Sequence, residues 1–209
     1  MTQTYTHRFH PPGTRSVAGS FVDLKTNLSE IKCCAYPEEK WNQPKAWHSS
    51  LQIFTAIYRP VVITERKDHL ELLTERLMKF AKNVIVLRGG MSARQLRAAT
   101  AALASVPPNE ERVLVATGRY LEEGFDDARL DTLFLTMPIS WRGTLAQYAG
   151  RLHRLHAPKH DVIIYDYVDE REPVLAKMAG KRQAGYRSLG YRAVSSTELN
   201  LDEPPGKSR

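Results

Sequence analysis

Five short apolar runs, each closed by a polar or glycine-bearing turn, constrain this chain more than any other feature. They are Val61–Ile63, Val84–Leu87, Val113–Ala116, Thr132–Leu135 and Val162–Tyr167. Runs that are apolar at successive positions suit strands buried on both faces, as in a parallel sheet. Segments of helical period lie between them. Asp68–Ala81 carries Leu70, Leu73, Leu77 and Phe80 on one stripe, with Asp68 expected as N-cap. Ser92 is placed to cap a helix running to Ala104, and Pro107-Pro108-Asn109 marks a surface turn. Leu51–Tyr58 reads as the end of an earlier helix. Pro173 suits the first turn of a last helix over about Val174–Tyr186. Strands alternating with helices predict an α/β fold, a parallel sheet with helices on both faces.

In such sheets ligands gather at the carboxyl ends of the strands. The unusual polar groups of this chain fall there: Thr64 and Arg66, Arg88-Gly89-Gly90, Thr117-Gly118 and Gly124-Phe125-Asp126. Pro138 ends the fourth run. Thr144 is then expected to cap a helix bearing Gln147, Arg151 and Arg154. Spacings of four and three residues put these three on one helical face. Three donor side chains beside a strand-end loop suit a polyphosphate held at the edge of the sheet.

At these residues a resemblance appears. VATGRYLEEGFD, from Val115 to Asp126, looks like motif V of superfamily-two helicases. QYAGRLHR, from Gln147 to Arg154, resembles their motif VI, usually Q/H-R-x-G-R-x-x-R. VITERKDHL and LRGGM stand where motifs IV and IVa belong. Their order, from about Pro60 to Tyr191, is similar to that in the DEAD/DEAH-type helicase region of TOTE conflict system proteins. The resemblance implies a second RecA-like domain, a P-loop-NTPase-type sheet lacking its own P-loop. It implies that Arg151 and Arg154 act as arginine fingers on ATP, stabilising charge on the transferring phosphoryl group. Gln147, Gly124, Asp126 and Gly150 would line the nucleotide. Thr64, Glu65, Arg66, Arg88, Gly89, Gly90 and Thr117 would follow the phosphates of a nucleic-acid strand. The sequence departs from the motif at one place: Tyr148 stands where the family has an arginine after the glutamine.

The implied cofactor is ATP with Mg2+, held mainly by a first domain. These 209 residues contain no G-x-x-x-x-G-K-[ST] run and no DExH or DEAD run. The expected partners are therefore nucleic acid, DNA favoured over RNA, and a P-loop- and DExx-bearing RecA-like domain in cis or in trans. On this reading the chain is a fragment, a truncated product or a subunit, and alone it should not hydrolyse ATP. The competing reading is a non-catalytic nucleic-acid-binding module or a decayed helicase fragment. A Rossmann-type enzyme is disfavoured, because no G-x-G-x-x-G follows a strand.

Bulk properties agree. A net charge of +7 suits a polyanionic partner, and 42% hydrophobic residues support a core. No apolar run is long enough for a membrane span. The two cysteines, Cys33 and Cys34, are adjacent and frame neither a disulfide nor a metal site, which suggests a reducing cytoplasm. His153, His156 and His160 lack a cysteine or acidic partner at ligand spacing, so no metal is expected. Trp141 reads more readily as loop packing than as a base-stacking platform. Lys177, Lys181, Arg182, Arg187 and Arg192 would give the last helix a basic side, open to solvent or to a phosphate backbone. The expected organisation is a poorly defined leader over 1–50, the RecA-like domain over 51–172, a helical extension over 173–195 and a disordered tail over 196–209.

Overall fold

A computed structural model of the chain describes residues 2–9, 59–79, 81–118, 120, 127–136, 139, 143–156, 159, 161–169 and 171–194. Seven strands form one sheet: β1 (Thr2–Phe9), β2 (Pro60–Thr64), β3 (Val84–Leu87), β4 (Val113–Thr117), β5 (Thr132–Leu135), β6 (Val162–Asp169) and β7 (Arg192–Val194). Among the described residues these helices accompany them: α1 (Lys67–Leu77), α2 (Ala93–Ser105), α3 (Thr144–Leu152) and α4 (Pro173–Ser188). The strand order is β3-β4-β2-β5-β6-β1-β7. The five apolar runs form its parallel part, in register Leu87 with Ala116, Thr64 with Thr117, Val61 with Leu133 and Leu133 with Ile164.

Alternation along β2 decides which helix covers which face. Val61 and Ile63 join Leu114, Ala116, Leu133 and Leu135 in a core with Leu103 of α2, Leu145 and Leu152 of α3 and Tyr186 of α4. Val62 faces the other way, with Val113, Val115, Phe134 and Ile163, against Leu70, Leu73 and Leu77 of α1. The sheet is thus covered by helices on both faces, as the sequence pattern predicts. Because α1 follows β2 on one face while α3 follows β5 on the other, the connections diverge between these neighbouring strands. Such a divergence opens a crevice at the carboxyl ends of the strands.

Helix boundaries follow local chemistry, with two corrections. Ser92 caps α2 as expected: its Oγ accepts from the Gln95 backbone N–H at 3.3 Å, and Gln95 Oε1 accepts from the Ser92 N–H at 2.8 Å. Asp68 is not the N-cap of α1. The helix starts at Lys67, with Arg66, two residues before Asp68, in the extended cap position and no side-chain cap bond. Asp68 therefore stabilises the first turn through the helix dipole instead of through a cap bond. Thr144 is likewise the first residue of α3; the cap is Gly143, at φ 83°, where an L side chain would be strained.

The leader contributes more than its sequence reveals. Residues 2–9 pair antiparallel with the whole of β6, from Thr2 opposite Asp169 to Phe9 opposite Val162. The short β7 adds to the far side of β1. The alternation of threonines with Tyr5, His7 and Phe9 is the strand signal here. The expected helix end at 51–58 and the expected disordered tail lie outside the described residues.

One ion-pair cluster fixes the start of β5 beneath α2. Asp127 accepts from Arg112 and, at 2.9 Å, from Arg129 Nε, while Arg129 also donates to the carbonyls of Leu103 and Val106. Arg129 thereby satisfies the exposed carbonyls at the end of α2. Burial alone would push the Asp127 carboxyl up, but the bonds from Arg112 and Arg129 outweigh it and hold the pKa at about 2. An acid whose folded pKa is depressed stabilises above its unfolded pKa and loses that contribution as pH falls through the folded value. Stability should therefore drop between pH 3.8 and about 2, by roughly 2 kcal/mol from this group. Asp127→Asn should flatten that part of the melting-temperature profile. An unchanged acid limb in the variant would remove Asp127 from the account.

Candidate nucleotide and nucleic-acid interface

Three loops leave three adjacent strands at one edge of the sheet. Arg88-Gly89-Gly90 follows β3, Thr117-Gly118 ends β4, and Thr64-Glu65-Arg66 ends β2. Glu65 and Arg66 are exposed, and Arg66 makes a long ion pair of 3.9 Å to Asp68. Arg88 is half-buried, its N–H directed at Met91 Sδ at 3.3 Å. Gly89 and Gly90 are exposed, and a Cβ on either would meet nothing within 4 Å. Gly90 has φ 80°, so it turns the chain where other residues would be strained. These loops can bring backbone N–H groups and two guanidinium groups to the same edge.

Thr64 and Thr117, paired across β2 and β4, behave differently. Thr64 is fully buried, and its Oγ1 lies 2.9 Å from His69 Nδ1. Its hydroxyl is committed to α1, so what Thr64 can offer a strand is its backbone, the kind of contact expected of this strand end. Thr117 Oγ1 is buried and has no hydrogen-bond partner among the described residues. Gly124 and Asp126 lie outside the described residues, as do Trp141 and His160.

On α3 the inner face carries Leu145, Tyr148, Ala149 and Leu152, all buried. The periodicity turns Gln147 and Gly150 outward, with Arg151 half-buried at the margin. A Cβ at Gly150 would meet nothing within 4 Å, so this glycine leaves the helix surface open to a ligand. Gln147 and Arg151 share the expected face. Arg154 does not lie on the helix: α3 ends at Leu152, His153 is its C-cap, and Arg154 sits in the following turn. That turn is held by Lys159, whose ammonium donates to the carbonyls of Leu152 at 2.9 Å and Arg154 at 2.7 Å. Burial lowers the Lys159 pKa to about 8, partly opposed by Asp131 and Asp127.

The end of α3 is also fixed from the β1–β7 edge of the sheet. His153 Nε2 lies 2.8 Å from the Tyr191 hydroxyl, and its ring stacks on Phe9 of β1 at 4.3 Å. His153 is thus a packing and hydrogen-bonding residue. The sequence gives no local sign of this, because its partners lie at the two ends of the described chain. Lys159 has no local sequence signal for a similar reason: its acceptors are carbonyls, which no side-chain motif records.

Tyr148 is where the separate loops meet. It is fully buried. A Cβ added at Gly118 would lie 2.1 Å from Tyr148 Oη and 2.3 Å from Glu65 Oε1. The end of β2, the end of β4 and the inner face of α3 therefore converge on the space that glycine leaves empty. The methyl of Gly118→Ala would force Glu65 aside, which is cheap, and Tyr148 as well, which is not. Overpacking of this kind costs about 1–3 kcal/mol. Tyr148→Phe in the same chain should recover most of the lost melting temperature, since the next atom, Cζ, is 3.3 Å away. A stable Gly118→Ala protein, or a double variant no better than the single one, would contradict this geometry.

No family model matches the chain, and no curated protein matches it in sequence. Among solved structures it is similar over part of its length to the crystal structure of the C-terminal part of the Fun30 ATPase domain. The two are 12% identical over 56% of this chain and 41% of that one, with a TM-score of 0.45. It is also similar to the crystal structure of T4 UvsW, at 19% identity over 53% of this chain and 22% of that one, with a TM-score of 0.41. The chain thus spans less than half the length of either. Among the described residues, no helix is long and apolar enough to cross a membrane.

Proposed function

We propose that this chain is the second RecA-like domain of an ATP-dependent nucleic-acid helicase or translocase of superfamily two, of the kind carried by TOTE conflict system proteins. Arg151 reaches into an ATP–Mg2+ site whose P-loop and metal carboxylate belong to a first domain. Gln147 and the open surface at Gly150 face the nucleotide, with Gly124 and Asp126 beside it. Arg154, anchored through its backbone in the turn after α3, is the second finger. Arg66, Arg88 and the amides of Glu65, Gly89 and Gly90 grip one strand's phosphates, with the Thr117 hydroxyl at the floor of the groove. DNA is the favoured strand, and the expected compartment is the cytoplasm.

The observation that carries the reading is the juxtaposition at one sheet edge. Three adjacent parallel strands end in the three loops, and a helix presenting Gln147 and Arg151 packs against the same edge through Tyr148. Function in open α/β sheets lies at such an edge. Binding of a fluorescent single-stranded oligonucleotide, measured against salt, tests the strand-gripping half. For single strands, log affinity falls with log salt by about 0.7 for each phosphate neutralised. Arg66→Ala and Arg88→Ala should each weaken binding and reduce the slope by about that amount. Absence of binding, or a slope unmoved by either variant, would reject the assignment of these loops.

A further inference from the structure

Tyr148 replaces an arginine of the motif, and its position suggests what the replacement does. An arginine would act here by charge. Tyr148 is uncharged, rigid and fully buried, so it acts by shape. Its hydroxyl fills the space over Gly118 together with Glu65 Oε1. We propose that Tyr148 is a positioning residue that couples the strand-gripping loops to the arginine-bearing helix α3, with Gly118 as the point of contact. The proposal rests on the functional reading above and extends it to how the two halves of the site communicate.

Two further features support a mechanical link. The β4 end is held by its ladders with β2 and β3, and Thr117 Oγ1 adds no hydrogen bond among the described residues. A displacement of the β2 end is therefore carried to β4 and to what packs on it, because close-packed interiors transmit small displacements instead of absorbing them. The two ends of α3 are also held unequally. At its C-terminal end Lys159 binds the Leu152 and Arg154 carbonyls, and Tyr191 and Phe9 hold His153. At its start the cap is Gly143, at φ 83° and with no side-chain cap bond. A push on Tyr148, about one turn before the clamped end, would tilt the helix about that end. Gln147 and Arg151 flank Tyr148 in sequence and would move with it. A strand drawn onto the loops after β2 and β4 would thus change the pose of Arg151 without touching it.

Hydrogen–deuterium exchange of the whole chain, with and without oligothymidine, tests this. In the wild type, binding should change exchange several-fold across residues 144–152 as well as in the loops after β2 and β4. Tyr148→Phe keeps the ring and removes the hydroxyl, so it should fold, bind the oligonucleotide with similar affinity and lose the response at 144–152. A purely structural role would instead raise exchange in α3 equally with and without the oligonucleotide and lower the melting temperature. That result would overturn the proposal. So would a wild-type response confined to the loops, or a full helix response in Tyr148→Phe. Failure of the wild type to bind oligothymidine at all would remove the functional reading itself, and this proposal with it.

Discussion

Replacing Arg151 by alanine should lower ATP turnover about 10³-fold or more when the chain is joined to a P-loop-bearing first domain, the range associated with arginine fingers. The side chain lies in the last turn of α3, half-buried at the margin of the outer face. The core side of that helix is formed by Leu145, Tyr148, Ala149 and Leu152, so truncating Arg151 leaves those four core side chains in place. The loss should therefore appear in kcat with little change in melting temperature or in single-strand affinity. Removing a guanidinium that meets only the transition state lowers kcat and kcat/KM together. Arg154→Ala should be milder. Its carbonyl, held by Lys159, fixes the turn whatever the side chain, and its side chain leaves from beyond the helix. Turnover in Arg151→Ala within a few-fold of the wild type would remove this residue from the chemistry.

The largest effect on stability is expected at Arg182. Its Nε and Nη2 donate to the two oxygens of Asp166 at 2.8 Å, and both side chains are almost completely buried. Nη1 donates to the carbonyl of Ile139 at 2.8 Å, and the Tyr186 hydroxyl donates to Asp166 at 3.3 Å. One guanidinium therefore joins β6, α4 and the connection leading from β5 to α3. Arg182→Ala would strand a buried carboxylate and free the Ile139 carbonyl. Breaking a buried pair from one side costs about 3–5 kcal/mol, or roughly 6–20 °C in melting temperature for a chain of this size. Removing both charges with Arg182→Met and Asp166→Leu should recover much of that loss, because apolar replacement of a whole buried pair is often neutral. Single and double variants melting alike would show that the pair is not what fixes α4 to the sheet.

How much of this was legible in the residues depended on whether the cause was local. The five parallel strands were readable because a strand buried on both faces is apolar along its length. The α2 cap was readable because Ser92 and Gln95 are three residues apart. Distant partners were not readable. Arg182 looked like one more cation on a basic helix face, yet it belongs to the buried stripe of Ala179, Gly185 and Tyr186. A charge in that stripe hides the periodicity unless Asp166 is known to be opposite. Strand β1 was missed because its partner lies more than a hundred residues away. Thr64 sits at a strand end, as expected, and its hydroxyl meets His69, a contact that the sequence pattern does not record. Arg154 was placed on a helix whose last residue is Leu152. Tyr148 stood out as a departure from a motif, and only the emptiness at Gly118 shows what the departure accommodates.

The central claim is that this chain completes an ATP site it cannot form alone. The direct test is ATP hydrolysis with single-stranded DNA present, by the chain alone and by the chain joined to a first RecA-like domain bearing a P-loop and DExx run. The account predicts no turnover by the chain alone, and DNA-stimulated turnover in the joined protein that Arg151→Ala abolishes. Turnover by the chain alone, or joined-protein turnover no greater than that of the first domain by itself, would contradict it.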